Sequence, residues 1–301
     1  MNKLFSGFLK YFKLLLKPSA FILLYLSIYF AAQTIITFIV SLPLVIINVL
    51  ENPELVNNTK AFETLINNKI FELAIPCTLI SIFICLPIYF LISKIRKQNF
   101  LQHCKFTKTG SATVGLSLIL GVSMNIFITI ALNYINNFIP LEEISSSYQE
   151  LSEIIMSSNT ILIFITVGIM APLIEEVIFR GLVYSELRKV LNAPAVIVIQ
   201  AFLFAAYHMN LVQGLYAFFM GIVLGIVVYK TGSIWPPIMM HISFNSINVM
   251  MNKAMPKNLE LYFEKYHILL FAVSILLTAS TLMLIWVSPR RNSAYIEENN
   301  P

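Results

Sequence analysis

Two adjacent glutamates, Glu175 and Glu176, stand inside the apolar run 160–183, with Arg180 four residues beyond the second. A charged side chain at the centre of a bilayer costs at least ~2.5–3.5 kcal/mol on the most lenient insertion scale, so this cluster demands a partner, water or a task. Glu176 and Arg180, at i and i+4, stack on one helix face and can pair directly. Glu175 is turned roughly 100° from its neighbour and is expected to meet a different partner. A carboxylate in an apolar setting without a fixed cation readily takes up a proton, which is what a general base must do. On these residues alone, an ion pair that merely locks helices together is the competing reading.

Two histidines interrupt later apolar segments. His208 follows Phe204 at a four-residue spacing, and His241 precedes Asn245 by the same step, with Asn248 continuing that face. Their depth follows from counting. Glu175 lies 17 residues before the turn at Asn192 and His208 lies 16 after it. In an antiparallel hairpin both therefore stand roughly 25 Å above that turn. Glu186, Arg188 and Lys189 put the lowest ~9 Å of the hairpin in water, which leaves both groups about 16 Å deep. His241, nine residues past Gly232, is roughly 13 Å deep. Three segments are thus expected to deliver Glu175, His208 and His241 to one plane. His103 and His267 lie beside loops and receive no role.

The elements that must hold these groups are helices in a membrane. Of 301 residues, 58% are hydrophobic and 12% charged, about half the charge of a soluble domain. Eight apolar stretches approach spanning length, near 20–49, 71–93, 111–135, 159–184, 194–209, 211–229, 233–251 and 266–288. Lys and Arg cluster before the first stretch and after the second, fourth, sixth and eighth, whereas Glu142, Glu143, Glu150 and Glu153 crowd the loop after the third. The positive-inside rule then places both termini in the cytoplasm. The expected fold is an all-α, polytopic bundle of about eight transmembrane helices. Residues 1–18, with Lys3, Lys10, Lys13 and Lys17 on one helical stripe, read as a basic interfacial segment or as an extension of the first span. Residues 19–289 form one membrane domain, and 290–301 a flexible cytoplasmic tail.

The net charge of +5 reflects topology and not nucleic-acid binding, because no basic patch with interleaved aromatics lies outside the membrane flanks. Three cysteines form neither a disulfide framework nor a metal spacing. No cleavable signal peptide or internal repeat is visible. Ala217, Gly221 and Gly225 recur every fourth residue, a pattern for close helix approach. Pro236 and Pro237 open the seventh stretch, where missing donors are tolerated, and are expected to leave loose backbone near the site.

Read in order, Glu175-Glu176-x-x-x-Arg180, Phe204-x-x-x-His208 and His241-x-x-x-Asn245 resemble the motif set of the CAAX-protease and bacteriocin-processing (CPBP, or Abi) family of intramembrane endopeptidases. The run 221–245, with Thr231-Gly232-Ser233-Ile234-Trp235-Pro236-Pro237, is similar to its bacterial members. The resemblance covers roughly 155–252 and implies a cavity open to the cytoplasm, with hydrolysis of peptide bonds in membrane-associated substrates. It implies that Glu175 with His208 activates a water, that His241 and Asn245 stabilise the oxyanion, and that Glu176 and Arg180 orient the site. Two His and a Glu could also hold a zinc: Glu175, His208 and His241 would be its ligands, although a lone activated water needs no metal and none is required.

Two other classes compete: a non-catalytic scaffold or immunity protein of the same family, and an ion- or proton-coupled transporter. The absence of repeat halves argues against the transporter. The expected partners are a peptide or membrane-protein substrate and the lipid bilayer, with no nucleic acid; oligomeric state is not legible. Richness in Lys, Asn and Ile points to an AT-rich bacterium and its plasma membrane.

Overall fold

Backbone amides out of reach of water must be satisfied within their own helix or barrel, and every apolar run of this chain takes the helical solution. The computed structural model describes residues 2–141 and 159–289, with side chains from residue 14 onward except 55 and 56, and no strand occurs among the described residues. The principal helices are α1 (Asn2–Glu51), α2 (Thr59–Ile95), the short α3 (Phe100–His103), α4 (Ser111–Asn136), α5 (Thr160–Leu187), α6 (Ala193–Tyr207), α7 (Leu211–Thr231), α8 (Trp235–Ala254), α9 (Lys257–Lys265) and α10 (His267–Val287). The side chains of Lys3, Lys10 and Lys13, the acidic loop Glu142–Glu153 and the tail 290–301 lie outside the described residues. α1 runs unbroken through residues 2–18.

Asparagine starts five of the helices (α2, α3, α5, α6 and α7). The side chains of Asn58, Asn99, Asn159, Asn192 and Asn210 accept from backbone amides two or three residues ahead, satisfying donors that the first turn leaves orphaned. At the far end of α7, Gly232 adopts φ 64°, the left-handed stop that glycine takes without Cβ strain.

Six helices (α1, α2, α4, α5, α7 and α10) are long and apolar enough to cross a membrane. The two remaining expected spans differ for separate reasons. The 15 residues of α6 reach only about 22 Å. The 20-residue α8 is long enough but carries His241, Ser243, Asn245, Ser246, Asn248 and Asn252.

Packing brings α6 against α7, α8 and α10 against α4, α1 against α2, and α8 across the middle of α5. The small-residue stripe works as expected. A Cβ on Gly221 would lie 2.9 Å from the Ala201 methyl, and one on Gly225 would lie 2.6 Å from Gln200 Nε2. The tightest approach is elsewhere, where a Cβ on Gly121 of α4 would collide with the Met240 carbonyl and Ser243 Oγ of α8. Gly121→Ala is therefore expected to destabilise by about 1–3 kcal/mol through overpacking. Thermal melting in detergent reads this, and an unchanged midpoint would refute the close packing of α4 on α8.

The loop before α4 ties down the entry of α8. Ile234 N donates to Lys105 O at 2.9 Å, Ser233 Oγ to Thr107 O at 2.7 Å, and Thr107 Oγ1 to Gly232 O at 2.9 Å. Lys105 Nζ in turn meets Ser185 Oγ at 2.5 Å, and burial pushes its ammonium down to about 8. Pro236 and Pro237 are buried in the first turn of α8. The loose backbone expected there is instead a fastened one.

Candidate active site

α5 is not a uniform α-helix. Phe164–Met170 and Val177–Val183 are wound as π-helix, with the α-helical Ala171–Glu176 between them. The bond from Ala171 N to Thr166 O denies Val167 O that donor, and Pro172 has no N–H to offer either Val167 or Gly168. Both carbonyls are taken by α8. Asn245 Nδ2 donates to Val167 O at 3.0 Å and Ser246 Oγ to Gly168 O at 3.3 Å. Gly168 makes room, since a Cβ there would lie 3.1 Å from Ser246 Oγ. π-Turns inside α-helices concentrate at functional sites, and here they flank the two glutamates.

One turn before Asn245, α8 presents His241. Its Nδ1 lies 2.8 Å from Glu176 Oε1 and its Nε2 lies 3.6 Å from Glu175 Oε2. The two carboxylates thus face the two nitrogens of one imidazole. They differ in access: Glu176 is 0% exposed and Glu175 19%. Glu176 Oε1 also accepts from Arg180 Nη1 at 2.8 Å, and Arg180 is itself 0% exposed. The guanidinium stacks 4.5 Å from the Phe204 ring centroid and reaches Gly221 O at 3.5 Å. The i,i+4 pairing legible in the sequence is present, and His241 is the link it did not reveal.

Phe204 organises the remainder. The rings of His208 and His241 both stand edge-on to it, at centroid separations of 4.8 and 5.7 Å. His208 occupies the turn that ends α6, before Met209 at φ 50°, and its Nδ1 faces Phe204 O at 2.8 Å. Among the described residues no ion pair joins His208 to Glu175. The structure therefore gathers Arg180, Glu176 and His241 into one bonded chain and sets Glu175 3.6 Å from the other nitrogen of His241. It brings His208 to the same aromatic ring and engages the Asn245 amide with backbone.

Other groups at the site escaped the sequence reading. Gln200 is buried and donates to Gly221 O at 2.8 Å, and its signal was available as a lone amide in the apolar α6. Tyr207 stacks on Tyr29 of α1 with ring centroids 6.1 Å apart, and Glu175 lies within electrostatic reach of both hydroxyls. Tyr29 had no signal, since the first three helices read as scaffold. Buried Glu176 Oε2, Arg180 Nε and Tyr207 OH have no hydrogen-bond partner among the described residues.

A zinc held by Glu175, His208 and His241 would need three donors converging on one point. His241 turns both nitrogens to carboxylates and His208 turns Nδ1 to a carbonyl. No group of three His, Cys, Asp or Glu side chains among the described residues could hold a metal ion, so these three do not fit a zinc in this arrangement.

With that geometry in view, the comparison with protein families is specific. Residues 157–247 match the Rce1-like family model, described as Type II CAAX prenyl endopeptidase Rce1-like. The match spans α5 to α8, the helices that carry every residue of the bonded chain, and stops before α9. No curated protein and no solved structure was found to match. The six apolar helices make this a multi-pass membrane protein, whose residues 157–247 are similar to the Rce1-like family.

Proposed function

We propose that this protein is an intramembrane endopeptidase that hydrolyses peptide bonds of membrane-associated peptides or proteins. The observation that carries the reading is His241 set between two carboxylates, one sealed and one reachable. With both nitrogens turned to carboxylates, His241 can donate from both. Glu175, Glu176, Arg180 and a doubly protonated His241 then sum to zero charge, the condition for keeping such a cluster away from water.

In this reading Glu175 takes a proton from a water as the resulting hydroxide attacks the scissile carbonyl carbon. His241 donates Nε2–H to the developing oxyanion, a contribution worth about 10²–10³ in rate for a single donor. The proton held by Glu175 then passes to the departing amine as the C–N bond breaks. Glu176 fixes the imidazole by accepting from Nδ1, and Arg180 holds Glu176. His208 is a second partner for the water through Nε2. Asn245 and Ser246 act by fastening α8 to the carbonyls that Pro172 exposes. The oxyanion role that the resemblance gives to Asn245 passes in this reading to His241.

Membrane placement follows the loop charges: α6 and α8 join the six apolar helices as crossing elements, and both termini are cytoplasmic. Composition supports a bacterial plasma membrane. The test is a peptidomic comparison of cells carrying the wild type with cells carrying Glu175→Ala. Peptides with new termini should accumulate only with the wild type, and the absence of any differential peptide would overturn the protease reading.

A further inference from the structure

Away from the glutamates, the ends of α2 and α5 meet the side of α1 around a separate cavity of about 320 Å³. Its lining includes Lys17 and Phe21 of α1, Arg96 and Gln98 just past α2, and Glu186 and Lys189 at the end of α5. Glu186 is 1% exposed, and its Oε1 accepts from Arg96 Nη1 at 2.6 Å and from Lys189 Nζ at 2.7 Å. Arg96 also donates to the Tyr25 hydroxyl at 2.6 Å and lies 3.5 Å over the Phe21 ring. It is thereby held flat, with only Nη1 engaged in these bonds.

The charge of this cavity does not balance. Lys17, Arg96 and Lys189 bring three cations against the single carboxylate of Glu186. Neighbouring His103, 3.4 Å from Glu186, adds no fourth cation at neutral pH, since burial holds its imidazole below the usual value. Lys17 is exposed and has no carboxylate partner among the described residues. On the same face of α1, two turns beyond Lys17, the apolar Leu24 is 41% exposed. Excess positive charge and an arginine fork suit a phosphate ester, and the adjoining apolar helix suits acyl chains.

We propose that this cavity binds the phosphate of an anionic phospholipid, whose chains lie along α1. A bound headgroup would join α1 to the ends of α2 and α5, and α5 is the helix that carries Glu175 and Glu176. The proposal does not rest on protease activity.

The test uses the full-length protein, with phosphatidylglycerol against phosphatidylcholine as probes. Native mass spectrometry counts retained lipid, and thermal melting reads stabilisation. Phosphatidylglycerol should be retained preferentially and raise the midpoint. Lys17→Gln and Lys189→Gln should each weaken that preference by about fivefold, as expected for one basic residue at a charged surface. Both variants keep the Arg96–Glu186 pair, and Lys17→Gln alone carries the test if Lys189→Gln folds poorly. Lys94→Gln removes an exposed charge from the same end of α2 without touching the cavity and should change nothing. Equal loss with Lys94→Gln would reduce the effect to general surface attraction and overturn the site. The same stabilisation by inorganic phosphate alone would reassign it to a soluble anion. Displacement of the lipid by a peptide with a free C-terminal carboxylate would reassign it to substrate. No preference for phosphatidylglycerol in the wild type would end the proposal.

Discussion

Glu175→Gln is expected to lower the rate of peptide-bond hydrolysis by about 10²–10⁴, the range contributed by a positioned general base, with the melting temperature held. The amide keeps the shape of the side chain and removes its ability to take a proton. Stability should be preserved because Glu175 is the reachable carboxylate, 3.6 Å from His241 Nε2 and without the short bonds that tie Glu176 into the bundle. Glu176→Gln is the informative contrast. It leaves Arg180 buried without a counter-charge, so activity and folding should fall together. The measurement is initial rate on the peptide found by the peptidomic comparison, beside melting in the same detergent. A wild-type rate in Glu175→Gln would place the base elsewhere.

The two glutamates were separable in the sequence because helical spacing is a strong constraint. Four residues bring Glu176 to Arg180, and one residue turns Glu175 aside. Depth counting likewise brought α5, α6 and α8 to a common level, and the structure sets His208 and His241 against one Phe204 ring. What spacing could not supply was side-chain direction across helices. His241 was expected to face substrate, yet it spends one nitrogen on Glu176. Asn245 was expected beside it and instead bonds Val167 O. That second difference has a local cause visible only in hindsight. Pro172 lies between Gly168 and Glu175, and a proline inside a helix frees a carbonyl one turn earlier. Its partner can come from any neighbouring helix, and no periodicity in one segment announces which. By length and composition six of the eight expected spans qualify, and α8 falls outside them for a related reason. α8 carries too many polar side chains to read as lipid-facing, because it supplies donors to α5 along its buried face.

Arg180→Met is expected to destabilise the protein by about 3–5 kcal/mol, the usual cost of removing one partner from a buried ion pair. Both members of this pair are 0% exposed, so the Glu176 carboxylate left behind has no water to turn to. His241 Nδ1 would remain as its sole charged partner. The loss should also reach beyond the pair, because Arg180 packs on Phe204 and approaches Gly221 O where α7 meets α6. Combining the change with Glu176→Gln removes the stranded charge and keeps a carbonyl oxygen to accept from His241 Nδ1. The double variant should therefore lose much less than the sum of the two single variants, the signature of coupled neighbours. Denaturation of all four proteins under one condition closes the cycle. Strict additivity would mean that Arg180 acts through its packing on Phe204 and not through Glu176. The orienting chain Arg180–Glu176–His241 would then have no energetic content, and His241 would need another group to hold its imidazole toward Glu175.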